Sequence, residues 1–540
     1  SGKYILMNDI VFTESDFAAG GTYYNGGQGW EPIGESTSFS GIFDGNNFAV
    51  INLYINYLDD GTNITVGVGL FGKNSGTVQN LGIQNADISA FSSESTLDVG
   101  GIAGRNNGII NNCYNTGTVF AESNDSSIFS SEVGGIAGRN YDNGSIRNSY
   151  NTGSVSAKAD GILAAAGGIV GLNDEDSKGV FYCYNTGDVE IPISSQSRGC
   201  QAGGIAGTNA SKIESSYNEG NIVFETAASL ALPCAGGIAG DNSGDIRKCY
   251  NTGTISSTSN SSNSSGVAAG GITGWNNNGI YECYNTGKVM ASASGGATLC
   301  NAGGLAGLND GEIEGCNNAG SVTASNLQYH PCAGGIAGDN DGIINNCVNT
   351  GEIIASTAST MALCDAGGIT GRNSKVISNC RNIGNVTADS SGATVSAGGI
   401  SGYNDSGNIQ SCFNSGNISA LLNAPSTLRT AQAGGITGDN NSPISNCYNT
   451  GKIIAATTAS NAYAGGISGT LNATINNCYN MGEISASIVS SSYLSMEEEG
   501  GIVGHIFEGD VYNCYYLAGL GDGSASSVSL TEPQMRIASS

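Results

Sequence analysis

The chain has 540 residues, 85 of them glycine and only 7 proline; 12% are charged, and 45 Asp and Glu against 18 Lys and Arg leave a net charge of −27. So acidic a surface repels phosphate backbones and anionic headgroups, which disfavours nucleic-acid and membrane-surface partners. No apolar run approaches the roughly 18 residues that span a bilayer, so direct membrane insertion is not expected, and the opening "SGKYILMNDI" lacks the apolar region of a signal peptide, so the sequence reads as a mature or excised piece.

In chain order, residues 1–66 come first. They hold Trp30, Phe39, Phe43, Phe48, Leu53 and Tyr54 and read as an N-terminal cap with entry coils, covering strand edges that would otherwise recruit other chains. From 67 to 516 the chain repeats. "GLFGKNSGTVQNLGI" (69–83) is a degenerate early copy, and Gly-Gly followed by Ile, Leu or Val recurs with its first glycine at 100, 134, 167, 203, 236, 270, 303, 334, 367, 398, 434, 465 and 500. Each unit reads A-G-G-I-[AST]-G-x-N, a spacer, G-x-I-x-N-C-Y-N-T-G-x-[VI], then an irregular stretch rich in Ser, Thr and Ala. Steps such as "TVFA" and "KVMAS" alternate, β-branched residues dominate, and no stretch sustains a 3.6-residue period. Three short strands per unit, with Gly and Asn at the corners, predict an all-β fold: a right-handed parallel β-helix (β-solenoid) of about fourteen motif-bearing coils with loop excursions on one side. The last unit carries Glu499 where Ala usually precedes Gly-Gly, a less apolar closing end, and residues 517–540 form an exit or cap segment.

Stacked coils lie about 4.8 Å apart, so each repeat position forms a column of its own copies. Small residues suit a narrow interior, glycine permits positive φ at corners, and asparagine tolerates that conformation while bonding along its column. The asparagine columns include Asn106, Asn140, Asn242 and Asn340, and Asn115, Asn251, Asn285 and Asn449. The residue just before the first of these columns varies from Arg105 and Arg139 to Trp275, Asp339 and Tyr403, which reads as a position facing water. Ile246 and Cys249, like Ile344 and Cys347, stand three apart, and both can point inward only if a bulge or corner lies between them.

Eleven cysteines share one column: Cys113, Cys183, Cys249, Cys283, Cys316, Cys347, Cys380, Cys412, Cys447, Cys478 and Cys514. Leu81, Ser149 and Ser216 occupy the same place, so the column reads as compact interior side chains, stacked and mostly reduced, rather than bridges or metal ligands. Five more, Cys200, Cys234, Cys300, Cys332 and Cys364, lie in the irregular segments shortly before Gly-Gly. Adjacent coils bring such positions within disulfide reach, giving Cys200–Cys234 and Cys300–Cys332 with Cys364 spare or competing for Cys332, or five buried loop thiols. Tyr114, Tyr150, Tyr184, Tyr217, Tyr250 and Tyr284 follow the cysteine column and point outward. They form either a candidate binding face for sugar rings or a stack that stabilises the coil.

The repeated "GGIAGxNxGxIxNCYNTGxV" resembles the GLUG motif of bacterial secreted and surface proteins, over roughly residues 67–516, with "GWEPIG", "FSGIFDGNNF" and "INLYI" similar to the segment that precedes such repeats. The resemblance implies a parallel β-helix displayed outside a bacterial cell, often within a longer polypeptide. Some members are immunoglobulin-A-cleaving zinc peptidases, but H-E-x-x-H is absent here and the only histidines are His330 and His505.

No catalytic or metal residue is assigned. G-x-S-x-G, a P-loop and an EF-hand loop are all missing, and the Gly-Gly pairs have no helix after them to hold a phosphate. Asp174, Glu175 and Asp176, or Glu497, Glu498 and Glu499, offer paired carboxylates of the kind glycosidases use, but such runs are more often solvated or capping. No cofactor is expected, weak Ca²⁺ binding staying open. The reading is a non-catalytic extracellular or cell-surface stalk or adhesin, meeting a host protein or glycan through its variable loops or tyrosine face. A self-assembling filament of neighbouring copies, or a polysaccharide-cleaving enzyme, are the alternatives.

Overall fold

The computed structural model describes residues 2–59, 65–123, 130–159, 163–193, 199–226, 232–261, 265–294, 298–423, 429–458, 460–489, 495–520, 527–531 and 534. The protein is an all-β parallel solenoid of about 13 turns. Its helical elements include Glu14–Phe17 and a 3-10 turn at Asn25–Gly27, and among the described residues no helix is long and apolar enough to cross a membrane. Parts of the segments expected to form loop excursions, at 124–129, 262–264 and 424–428, and most of the exit segment 517–540 lie outside the described residues.

One coil shows how the repeat folds. It runs β1 (His330–Gly334), β2 (Ala337–Asn340), β3 (Ile343–Asn345), β4 (Val348–Asn349) and β5 (Ile353–Thr357), and these labels serve for the equivalent strands of the other coils. Five strands replace the three that the spacing suggests, because β1 occupies part of the segment that looks irregular and a corner separates β3 from β4. Every strand pairs in parallel with its own copy in the next coil: Gly334 with Gly367, Asn340 with Asn373, Ile344 with Ile377, Asn349 with Asn382 and Ala355 with Ala388.

The chain divides into two compact units, residues 1–265 with 272–279, and residues 266–271 with 280–540. The first opens with strands Lys3–Ile5 and Ile10–Val11, which pair with Ile42–Asp44 and Ala49–Ile51, and with an excursion whose Phe12, Phe17, Tyr23 and Trp30 rings pack together. Its β5 ladder runs from Tyr54–Leu58 to Ile255–Ser259. The second unit carries β1 strands from Val267–Gly270 to Glu497–Gly500 and ends with Ser527–Leu530 added beside Cys514–Leu517. In both units the lumen is filled by small and branched side chains, such as Ile136, Ile146 and Val155 in the first and Ile336, Ile344 and Ala355 in the second, all fully buried.

The corner between β3 and β4 resolves the spacing of Ile344 and Cys347. Asn346 between them is left-handed (φ 54°), as is Lys248 (φ 53°) between Ile246 and Cys249, and the reversal turns both flanking side chains inward. Asparagine holds this position at 80, 112, 148, 346, 379, 446, 477 and 513, since its short polar side chain tolerates the left-handed region. Glycine does a different job from the one its abundance suggests. Gly334 and Gly335 are not left-handed; a methyl on Gly335 would strike the Gly368 carbonyl oxygen and the Asn349 side chain, so the pair exists to let backbones touch.

Candidate functional site

The tyrosine column is a stack. In the first unit Tyr114, Tyr150, Tyr184, Tyr217 and Tyr250 lie ring on ring, with centroids 4.7 to 5.0 Å apart and planes within 5° of parallel. The Tyr114 ring lies against Gly82, where any methyl would collide with it. Ring faces are thus used on one another, and what points outward is a row of phenol edges; sugar stacking needs the faces. In the second unit Tyr284 is exposed and Asn317, Val348 and Arg381 follow it in the column, while Phe413, Tyr448 and Tyr479 stack again.

The asparagine columns are amide ladders inside the coil. Each Nδ2 donates to the Oδ1 of the next coil: Asn106 to Asn140 at 2.8 Å, Asn309 to Asn340 at 2.7 Å and Asn340 to Asn373 at 2.8 Å. The second column does the same, Asn115 to Asn151 and Asn285 to Asn318 at 2.9 Å, and Asn414 to Asn449 at 2.7 Å. Asn242 passes its bond to Asn276 (2.8 Å), and Asn251 accepts from Asn218 (2.9 Å). The second Nδ2 hydrogen commonly reaches the carbonyl two residues on, as from Asn349 to Gly351 O at 3.0 Å, so a side chain that is fully buried leaves little unpaired.

The cysteine column is also a hydrogen-bond device, which its apolar reading misses. Cys447 Sγ accepts the backbone N–H of Cys412 in the preceding coil (3.4 Å) and donates to its own Ser445 carbonyl (3.1 Å). Ser149 Oγ does the same, accepting Cys113 N–H at 3.1 Å and donating to Arg147 O at 2.7 Å, and Ser216 serves Cys183 alike. Cysteine and serine therefore alternate because both carry a γ atom that accepts and donates. Burial pushes the Cys113 and Cys183 thiols up to about 12, so they stay protonated.

The five remaining cysteines correct the expected bridges. All lie in β1, and the register pairs Cys200 with Pro233 and Gln201 with Cys234; likewise Cys300 meets Pro331 and Asn301 meets Cys332. An offset of one residue turns two side chains to opposite faces of a sheet. Cys364 in turn pairs with Val395, and Cys332 with Asp365. None of the five forms a disulfide, and all are buried, because β1 is covered on both faces. One face meets β5, where Cys300 Sγ donates to Ser325 O at 3.3 Å and Cys364 Sγ to Asp389 O at 3.6 Å.

The other face of β1 meets the variable column of β2, which is half-buried instead of facing water. Charge collects in this seam. In the first unit Asp98 and Glu132 are register neighbours, both buried, and Arg105 Nε lies 3.1 Å from Asp98 Oδ2. Burial, with the neighbouring Glu132, holds the Asp98 carboxyl well above the usual carboxylate range. In the second unit burial pushes Asp365 up to about 7 and Asp339 up to about 6, with Arg372 opposing both shifts.

The paired-carboxylate runs and the histidines have local structural roles. Asp174 accepts Arg139 Nε at 3.2 Å. Glu499 and Glu497 accept the N–H groups of Ala486 (2.8 Å) and Ile488 (3.1 Å) of the last β5 strand, which explains the acidic closing unit. Glu498 bonds His505 Nδ1 at 2.7 Å, and His330 Nδ1 accepts Leu363 N–H at 2.8 Å. Glu175 and Asp176 sit exposed in the adjoining turn.

Beside the excursions of the second unit runs a groove of about 440 Å³, lined among others by Ser292, Ser325, Leu327, Ser356, Asp389 and Asn423. Ser325 Oγ donates to Ser292 Oγ at 3.2 Å, and Leu327 is exposed. Nothing in the repeat marks this groove, because its lining comes from the outward side of β5 and from excursion residues of differing length.

Residues 130–156 match the family model described as the GLUG motif. A stretch of 138 residues, 25% of this chain, is 36% identical to Halomucin of Haloquadratum walsbyi (strain DSM 16790 / HBSQ001), of which it spans 1%. No solved structure matches the chain.

Proposed function

We propose that this chain, a solenoid carrying the GLUG motif, is a non-catalytic extracellular surface protein, a rigid stalk or adhesin that meets a host protein or glycan through its excursions. The observation that supports this most is where side-chain chemistry is spent. Asparagine, cysteine and serine are consumed by ladders inside the coil, and the carboxylate runs close edges and pair arginines. Variation is left to the segments between β5 and β1, beside which the Ser292–Asn423 groove lies. Loops that vary on a fixed frame are where recognition usually sits. The likeness to Halomucin supports an extracellular setting in the same direction.

The test is a binding screen of the purified chain against glycans and extracellular host proteins, repeated with Ser325→Ala and Asp389→Ala. Binding that weakens in these variants, with no turnover of any polysaccharide, is the expected result. Polysaccharide cleavage abolished by a single Asp or Glu substitution would replace this reading with the enzyme, and concentration-dependent end-to-end polymers would replace it with the filament.

A further inference from the structure

A larger cavity, about 660 Å³, opens in the first unit, where the N-terminal excursion faces the earliest coils. Its making is visible in the register. Ile83 pairs with Asn115 and Asp87 with Thr118, so residues 84–86 span a corner that 116–117 span in the following coil. The preceding coil matches the longer form, Val50 pairing with Ile83 and Tyr54 with Asp87. The two earliest coils therefore carry one extra residue here, and each takes it up with a left-handed asparagine, Asn52 (φ 59°) and Asn85 (φ 49°). Asn85 Nδ2 donates to Asn52 Oδ1 at 2.7 Å, and Asn52 Nδ2 to Phe12 O at 3.0 Å, which fixes the corner as a polar ledge.

The opposite wall is held as firmly. Thr13 N–H and Oγ1 both bond Asp16 Oδ2 at 2.7 Å, and the Phe17 ring sits 5.1 Å from Phe12 and 5.7 Å from Tyr54. Between the walls the lining brings together two rings, Phe17 and Tyr54, two amides, Asn52 and Asn85, and two carboxylates, Glu14 and Asp87. Among the described residues no basic side chain lines it.

We propose that this cleft binds a short neutral oligosaccharide. The volume falls within the roughly 300 to 1,000 Å³ of small-molecule sites. Aromatic surface takes the C–H face of a sugar ring, while amides and carboxylates accept and donate to its hydroxyls. Two carboxylates without a cation repel uronates, sulfates and phosphates. A peptide adding itself as a strand finds no free backbone, since Asn52 N–H is bonded to Gln84 O and Asp87 N–H to Leu53 O, each at 2.9 Å. The departure from the repeat that forms the ledge sits at the cleft, and breaks in a local rule cluster at functional sites. The site is independent of the excursion groove, so either can fail alone.

The full chain is tested on an array of neutral and acidic glycans, with calorimetric titration of each neutral hit and of a lysine-rich peptide. The expected result is a neutral oligosaccharide bound and its uronate counterpart ignored. Asp87→Asn and Phe17→Ala should each weaken binding at least tenfold, while Lys178→Ala, at an exposed position in neither site, leaves it unchanged. Asp87 is exposed, so its replacement spares the coil, and unchanged Trp30 fluorescence verifies the cap in both variants. No neutral glycan bound, a hit indifferent to both substitutions, or preference for the peptide would each overturn the proposal.

Discussion

Cys447 offers a direct test of why the interior column is cysteine. Its sulfur accepts Cys412 N–H from one coil back, while its own N–H is taken by Cys478 Sγ at 3.4 Å. Cys447→Ala removes the acceptor and leaves the Cys412 N–H buried and unpaired; Ser445 O keeps a second donor, Ser411 N–H at 3.1 Å. One orphaned buried donor costs about 1–3 kcal/mol, and the lost sulfur contacts add about 1 kcal/mol. Cys447→Val fills the space and still orphans the donor, whereas Cys447→Ser restores both bonds as at Ser149 and should cost under about 1 kcal/mol. Hydrogen exchange of the Cys412 amide and its neighbours, with guanidinium unfolding, reads the local and global parts. The order expected is serine above valine above or equal to alanine. If valine is tolerated and serine is not, the column is a small apolar filler and the bridging argument fails.

Tyr182 is a bulky, exposed residue at the left-handed corner (φ 54°), so Tyr182→Asn should stabilise the first unit by about 1 kcal/mol, seen as a higher midpoint in guanidinium. Asn349→Ala breaks its bonds to Asn318 (2.9 Å), Asn382 (2.8 Å) and Gly351 O (3.0 Å) and should cost at least about 3 kcal/mol, with exchange accelerating first in its own and adjoining coils; a loss below 1 kcal/mol would contradict the ladder's importance. Asp365 is raised when folded to about 7, so the native state holds its proton more tightly than the unfolded chain does. Its contribution is fully present below about pH 4 and is lost as pH rises through 7, and Asp365→Asn should flatten that part of the stability profile between pH 4 and 8. An unchanged profile would show that Asp365 ionises normally.

Period, columns and strand type were legible in the sequence because a solenoid stacks equals on equals: the Gly-Gly spacing, the two asparagine columns and the cysteine column all follow from reading the units against one another. What depends on the angle between strands was not. The bridges expected of Cys200 with Cys234 and of Cys300 with Cys332 failed on a one-residue register, although the differing distance to Gly-Gly, three residues for Cys200 and two for Cys234, is a signal that alternate faces were involved. The seam of Asp98, Glu132 and Asp365 was hidden because β1 looks irregular in sequence, its second covering face being supplied by β2. The cleft was hidden in the cap, where each coil departs from the repeat and no column can be read. Its one trace is the step from Ile83 to Asp87, one residue longer than the step from Asn115 to Thr118 in the unit that follows.

The amide ladders also have a direction. Each side-chain N–H points to the following coil and each oxygen to the one before, from Asn74 to Asn276 in the first unit and from Asn309 to Asn440 in the second. Dipoles aligned head to tail add, as peptide dipoles do along a helix, and two such files run in each unit. Each unit is therefore electrically polar along its stacking axis, its late coils the more positive pole, and a copy turned end for end would present the opposite field.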